Sequence, residues 1–290
     1  MIPGKFEYQL ARDLSHAFQL LAQGGGEAKL LAGGQSLIPL MKFRLAEPRV
    51  LIDLNRIEGL AYIRENGDLR IGALTREREL ETSAVVRARY AILTETTQVI
   101  ADPIVRNLAT IGGNLAHADP ANDHPATMLA LRASVVARSA KGERVIPIDE
   151  LFVDTFQTSL RPDEILTEIR IPRPAAKSGG AYLKLERKVS DFAIAGVGVY
   201  LVLDDRGAVK TAGIGLTNVG STTLRAKKAE AALVGNMPDD RAVGAAAQAA
   251  AGESQPSADI RGPAEYKRDV VRVLTARAIR RAVARAKGGS

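Results

Sequence analysis

Cysteine is absent from the 290 residues. That removes disulfides, thiolate-bound zinc and any iron–sulfur cluster held by the chain itself. Histidine is scarce, with only His16, His117 and His124. His117 and His124 crowd one segment with Asp119 and Asp123, but they lack a metal spacing such as His-Glu-x-x-His, so no metal is expected. Tryptophan is missing and aromatics make up 4%, which leaves poor stacking platforms for single strands. Nucleic acid is therefore not expected, despite a formal net charge of +7. An anionic cofactor or an acidic partner face is the better use of that charge. No apolar run reaches the ~20 residues of a membrane helix. The stretch Met1-Ile2-Pro3-Gly4-Lys5 lacks the basic start and long apolar core of a secretory leader, so a cytoplasmic location is the default expectation. No Gly-x-Gly-x-x-Gly stands between a strand and a helix, and no Gly-x-x-x-x-Gly-Lys-Ser/Thr loop occurs. A nicotinamide-binding Rossmann domain and a P-loop nucleotidase are disfavoured. No Gly-x-Ser-x-Gly elbow or acid–base pair announces itself either.

What remains is an ordinary folding composition, with 46% hydrophobic and 25% charged residues. Asp13 to Gln23 reads as a helix capped by Asp13 and ended by Gly24-Gly25-Gly26. Lys29 to Ala32 and Arg49 to Leu54 read as strands. Asn66-Gly67 suits the positive φ angles of a type I′ turn, which predicts a hairpin over residues 62–71. Helical patterns follow at 75–81, 84–100 and 125–132, with a polar loop over 114–124. A second hairpin is expected over 134–148, turning at Lys141-Gly142, and a strand at 165–171. Residues 172–180, rich in proline and glycine, form the best linker. Long β-patterned runs then cover 181–188, 192–203 and 208–217. Helical ones cover 227–233, 239–251 and 264–286, the last rich in arginine. Strands followed by helices, without a regular βαβ repeat, predict an α+β protein of two domains, 1–176 and 177–290.

The chemistry-bearing feature is a glycine pair used twice. Ala32-Gly33-Gly34-Gln35-Ser36-Leu37 follows a strand, and Thr110-Ile111-Gly112-Gly113-Asn114 follows an apolar run. Paired glycines remove side-chain bulk, allow left-handed backbone and leave N–H groups free to converge on a diphosphate. Ser36, Thr110 and Asn114 place polar side chains beside them. Either pair alone is more usually a plain turn.

The segments Ala-Gly-Gly-Gln-Ser-Leu-Ile-Pro at 32–39, Thr-Ile-Gly-Gly-Asn-Leu-Ala at 110–116 and Asp-Pro-Ala-Asn-Asp at 119–123 resemble the FAD signatures of the xanthine dehydrogenase flavoprotein family. The resemblance runs the length of the chain. Residues 1–6 and Met41-Lys42-Phe43-Arg44-Leu45 resemble the medium subunits of molybdenum hydroxylases. Residues 214–219 and 261–266 resemble the carbon monoxide dehydrogenase branch.

The resemblance implies a two-subdomain FAD-binding domain of the vanillyl-alcohol-oxidase type, with subdomains at about 1–57 and 58–176. A smaller α+β domain of the CO dehydrogenase flavoprotein type follows. It also implies cofactor contacts from Ala32, Gly33, Gly34, Gln35, Ser36, Leu37, Thr110, Ile111, Gly112, Gly113, Asn114, Asp123, Leu166 and Lys184. Phe192 matches a residue that covers one face of the isoalloxazine, where tyrosine is expected in carbon monoxide dehydrogenases. Asp123 also reads as a helix cap, Leu166 and Phe192 as core, and Lys184 as a solvated lysine.

The family role implied is electron relay. A large molybdenum subunit with a molybdopterin cofactor oxidises substrate, a small subunit carries [2Fe–2S] clusters, and FAD here passes electrons to an external acceptor. A dimer of heterotrimers is the expected assembly, with membrane association only through the acceptor. The implied reaction is aerobic carbon monoxide oxidation. Alternatives are an aromatic, purine or aldehyde hydroxylase, or a freestanding flavin oxidase acting on its own substrate.

Overall fold

The computed structural model describes residues 2–289; Met1 of the N-terminal stretch and Ser290 of the expected second domain lie outside the described residues. Among the described residues, three larger sheets follow one another along the chain, with a small two-stranded ribbon formed between strands of the second. The first unit contains β1 (Glu7–Leu10), α1 (Leu14–Gly24), β2 (Ala28–Leu31), α2 (Leu37–Lys42) and β3 (Val50–Asp53). β3 lies between β1 and β2 and runs parallel to both. α1 forms as the sequence reading expects. The Asp13 side chain accepts from the His16 N–H at 2.8 Å, and Gly25, at φ +52°, caps the end. Its apolar stripe buries Ala17 and Leu21 in a core shared with Ile52 and Leu54. β1 escapes the sequence reading because its Glu7 and Tyr8 are exposed and no apolar alternation marks it. With β1 in place, this unit contains the βαβ arrangement that the strand pattern did not suggest.

The second unit opens with the expected hairpin, β4 (Ile63–Asn66) and β5 (Asp68–Gly72), turning at Gly67 with φ +79°. Six short helices follow: α3 (Glu77–Thr82), α4 (Ala84–Arg89), α5 (Ala91–Gln98), α6 (Pro103–Arg106), α7 (Ile111–His117) and α8 (Asp123–Ala130). The helix expected over 84–100 is thus two, broken at the buried Tyr90. The loop expected from 114 is helical as far as His117, where Ala118 at φ +52° ends α7. The chain then returns through β6 (Ser134–Ser139), β7 (Gly142–Pro147), the short β8 (Phe152–Asp154) and β9 (Gln157–Thr158), and β10 (Ile165–Ile171). The main sheet is antiparallel in the order β4-β5-β10-β6-β7.

The third unit is a four-stranded antiparallel sheet of β11 (Ser178–Glu186), β12 (Ala193–Leu203), β13 (Val209–Thr217) and β14 (Leu224–Arg225). Because β11 begins at Ser178, the linker ends earlier than expected. Helices α9 (Lys227–Leu233), α10 (Asp240–Glu253) and α11 (Ala264–Ala286) share one core with this sheet, built around Val197, Ile214, Leu274 and Ala278. α8 of the second unit also packs directly on the sheet. A Cβ on Gly215 would lie 2.1 Å from the Ala126 carbonyl oxygen, so only glycine admits the helix backbone there. This docking brings the start of α8 against β11. Among the described residues, no helix is long and apolar enough to cross a membrane.

Candidate functional site

β2 delivers the chain to the first glycine pair. A Cβ on Gly33 would lie 2.3 Å from the Leu108 carbonyl oxygen and 2.8 Å from the Ala109 Cα. The first segment therefore touches the backbone that leads into the second. Gly34 has φ +73°, the left-handed region that glycine enters without a steric penalty. That bend turns the chain into α2. Among the described residues, no intramolecular acceptor meets the N–H groups of Gly33, Gly34, Gln35 and Ser36. Consecutive backbone donors with no partner and no bulky Cβ in front of them form an anion cradle.

The second pair works differently. Thr110 caps α7, its Oγ1 accepting from the Gly113 N–H at 3.1 Å. The Ile111 N–H donates to the Thr75 carbonyl at 3.1 Å, and the Gly112 N–H donates to the Ala73 carbonyl at 2.9 Å. The expectation that both glycine pairs offer free donors therefore holds for the first pair only. Gly112 is small for packing: a Cβ there would lie 2.5 Å from the Ala73 Cβ and 2.6 Å from its carbonyl oxygen. This segment contributes side chains instead. Asn114 Oδ1 is buried without a partner among the described residues, while the Asn114 carbonyl accepts from Asn122 Nδ2 at 2.9 Å.

Both segments line one crevice of about 920 Å³, within the size range of ligand and cofactor pockets. Of the residues singled out from sequence, the crevice gathers Ala32 to Leu37, Thr110, Gly112, Gly113, Asn114 and Leu166. Ile111, the first residue of α7, is fully buried and belongs to the core. The sequence reading missed His117 and Phe156 as crevice walls; their rings lie 5.1 Å apart, centroid to centroid. Burial pushes the His117 imidazole below its ordinary value. Phe156 sits at φ +58°, a conformation without a local sequence signal.

Asp123, Lys184 and Phe192 lie outside that lining. Asp123 begins α8, which Asn122 precedes as cap residue. Its Oδ2 meets Lys184 Nζ at 3.0 Å, both side chains being buried. Its Oδ1 accepts from the Tyr182 hydroxyl. Lys184 also donates to the Val99 carbonyl at 2.9 Å. Burial pushes the Asp123 carboxyl above the usual carboxylate range, against the pull of Lys184. Tyr182 is pushed well above the usual phenol value by burial and by Asp123. Phe192 is 47% exposed on the turn between β11 and β12. Beside it, Asp191 is held by Arg261 at 3.1 Å, and that guanidinium lies 5.9 Å from the Phe192 ring centroid.

Free donors in a crevice between two glycine segments suit an anionic ligand, and comparison with known families gives the class of the protein. Residues 4–174 match the FAD binding domain in molybdopterin dehydrogenase, and residues 180–282 match the CO dehydrogenase flavoprotein C-terminal domain. The chain belongs to the FAD-binding medium subunits of the molybdenum hydroxylases, which are subunits of oxidoreductases. It is 44% identical to the carbon monoxide dehydrogenase medium chain of Hydrogenophaga pseudoflava, covering 98% of this chain and 99% of the relative. It is 41% identical to subunit alpha of the 6-hydroxypseudooxynicotine dehydrogenase complex of Paenarthrobacter nicotinovorans, covering 99% and 97%. Among solved structures, carbon monoxide dehydrogenase from Hydrogenophaga pseudoflava lacking the Mo-pyranopterin moiety superposes with a TM-score of 0.96. That pair shows 47% identity, with 98% and 99% of the two chains covered.

Proposed function

We propose that this chain holds FAD in the crevice and relays electrons within a molybdenum hydroxylase, in aerobic carbon monoxide oxidation. The observation that carries this reading is a row of N–H groups, Gly33 to Ser36, with no acceptor among the described residues, on a segment that lines one cleft together with the second glycine segment. Those donors bind the diphosphate without a cation. The hydroxyls of Ser36 and Thr110 and the Asn114 amide add hydrogen-bonding capacity beside them. Leu166 gives the crevice an apolar wall. The Asp123–Lys184–Tyr182 group lies outside the lining and is joined to it through Asn122, which donates to the Asn114 carbonyl. Bound FAD would supply a redox group that takes up electrons singly and gives them up in pairs.

Since the chain has no cysteine, the electrons enter from [2Fe–2S] clusters on a small partner subunit. A large subunit carries the molybdopterin cofactor, and an external acceptor takes the electrons onward. The assembly is a dimer of heterotrimers in the cytoplasm. Within the chain, residues 1–176 form the FAD-binding domain and 177–290 the domain that packs beside it. The near-equal identity to subunit alpha of the 6-hydroxypseudooxynicotine dehydrogenase complex favours a second reading, in which the holoenzyme oxidises 6-hydroxypseudooxynicotine or a compound like it.

The test is direct. The full chain, purified alone, is expected to be yellow, to release FAD on denaturation and to rebind it stoichiometrically with quenched flavin fluorescence. A folded chain that takes up no FAD overturns the proposal. Anaerobic addition of carbon monoxide or 6-hydroxypseudooxynicotine to the whole complex, followed by flavin bleaching, separates the two substrate readings.

A further inference from the structure

Two side chains outside both glycine segments join one segment to the other. Asn55 follows β3, and its Nδ2 donates to the Ala32 carbonyl at 2.9 Å. The Asp53 carboxylate fixes this amide, accepting from the Asn55 backbone N–H at 2.8 Å and from Nδ2 at 2.7 Å. Arg76 precedes α3, with its own N–H held by the Glu79 carboxylate at 2.7 Å. One terminal nitrogen of its guanidinium donates to Asn55 Oδ1 at 2.6 Å. The other donates to the Leu108 carbonyl. The Arg76 backbone forms an isolated antiparallel bridge with Thr110. A continuous chain of hydrogen bonds therefore runs from Ala32 through Asn55 and Arg76 to Leu108. Neither side chain lines the crevice, so the chain crosses behind the two segments.

The contact of Gly33 with Leu108 and Ala109 sets how close the segments come. A steric contact limits approach but does nothing to stop them spreading. We propose that Asn55 and Arg76 are positioning residues: a strap that fixes the gap between the two glycine segments and thereby the affinity for the cofactor's diphosphate. This rests on reading the crevice as the FAD site. The residue types match the task. An amide offers a donor for Ala32 and an acceptor for Arg76 at once. A guanidinium reaches two acceptors in different directions, which a lysine ammonium on one stem does not reproduce. Because the bonds lie in series, cutting either one releases the whole strap.

The experiment measures the full chain carrying Arg76→Ala, Arg76→Lys, Asn55→Asp, Asn55→Ala, or Asn55→Ala combined with Arg76→Ala. FAD affinity comes from fluorescence quenching, ADP affinity from competition against FAD, and fold integrity from the Tm of the FAD-free chain. Each single variant is expected to weaken FAD and ADP together by about tenfold, the loss of one hydrogen-bonded link. The FAD-free Tm should move by less than about 4 °C. Arg76→Lys should behave like Arg76→Ala. Asn55→Asp should lose affinity although it strengthens the Arg76 contact, because it loses the donor to Ala32. The double variant should be no weaker than the worse single one, since residues in series do not add. Unchanged FAD affinity in the single variants overturns the strap, as do additive losses or rescue by lysine. Failure of the unaltered chain to bind FAD would instead overturn the crevice reading itself.

Discussion

The crevice and the Asp123–Lys184–Tyr182 group both present polar groups and are linked through Asn122, but their hydrogen bonding is opposite. Along the first glycine segment, successive N–H groups have no acceptor among the described residues. In the buried group, both Asp123 oxygens are engaged, by Tyr182 and Lys184, and Lys184 turns a further donor to the Val99 carbonyl. Buried polar groups must find partners, so a closed network is what stability alone demands. Open donors at the wall of a cleft are what stability alone would remove. The difference separates residues that a family resemblance groups together: those of the first segment are poised for an anion, and Asp123 and Lys184 satisfy each other.

The strongest challenge to this contrast is Lys184→Met. Methionine keeps much of the volume but leaves Asp123 buried without its cation. Breaking such a pair is expected to cost on the order of 3 kcal/mol, a fall in Tm of about 6–12 °C for a chain of this size. FAD affinity of the folded protein should stay within about threefold, below the tenfold that 1.4 kcal/mol represents. Thermal unfolding and fluorescence titration check both. Lost FAD affinity with an unchanged Tm would move Lys184 into the site and erase the contrast.

Gly34→Ala probes the other side with a smaller effect. At φ +73° a Cβ costs about 1–2 kcal/mol. The nearest obstacle is the Ile38 Cδ1 at 2.7 Å, the free end of a flexible side chain. The loop can relax away from its bend without unfolding the domain. FAD affinity should fall about tenfold, with a Tm change of under about 4 °C. A Tm fall as large as that of Lys184→Met, with FAD binding intact, would show that the bend serves the fold and not the ligand.

Local patterns made some of this legible. Asn66-Gly67 places its hairpin, Asp13 caps its helix, and the two glycine pairs meet in one crevice. What escaped depends on residues distant in sequence. Thr110 caps a helix through a glycine pair that reads as a breaker, because α7 packs on Ala73 and its first N–H groups find carbonyls there. Asp123 meets Tyr182 and Lys184 only because α8 lands on the third sheet. Asn55 and Arg76 belong to no motif and act through one side-chain contact that chain order does not announce. Local alternation and caps are visible in one dimension, whereas the closure of a polar network is not.

The finest test of the contrast is in pH, and two carboxylates give slopes of opposite sign. Glu164 is held below its ordinary value by the Arg144 guanidinium, which meets its two oxygens at 2.7 and 2.9 Å. The folded state therefore releases this proton more readily than the unfolded chain. Its stabilisation is present above the unfolded value of about 4.3 and is lost as pH falls through the folded value. Asp123 is raised by burial, so the folded state holds its proton more tightly. Its contribution favours folding below the unfolded value of about 3.9 and declines as pH rises through the folded value. Denaturant unfolding between about pH 3 and 7 should show Glu164→Gln flattening the acid limb. Asp123→Asn should remove a decline on the rising side, the slope being the readout because the amide also alters the contact with Lys184. If both variants change the slope in the same direction, the pull of Lys184 and Tyr182 outweighs burial at Asp123, and its carboxyl lies below the ordinary value like that of Glu164.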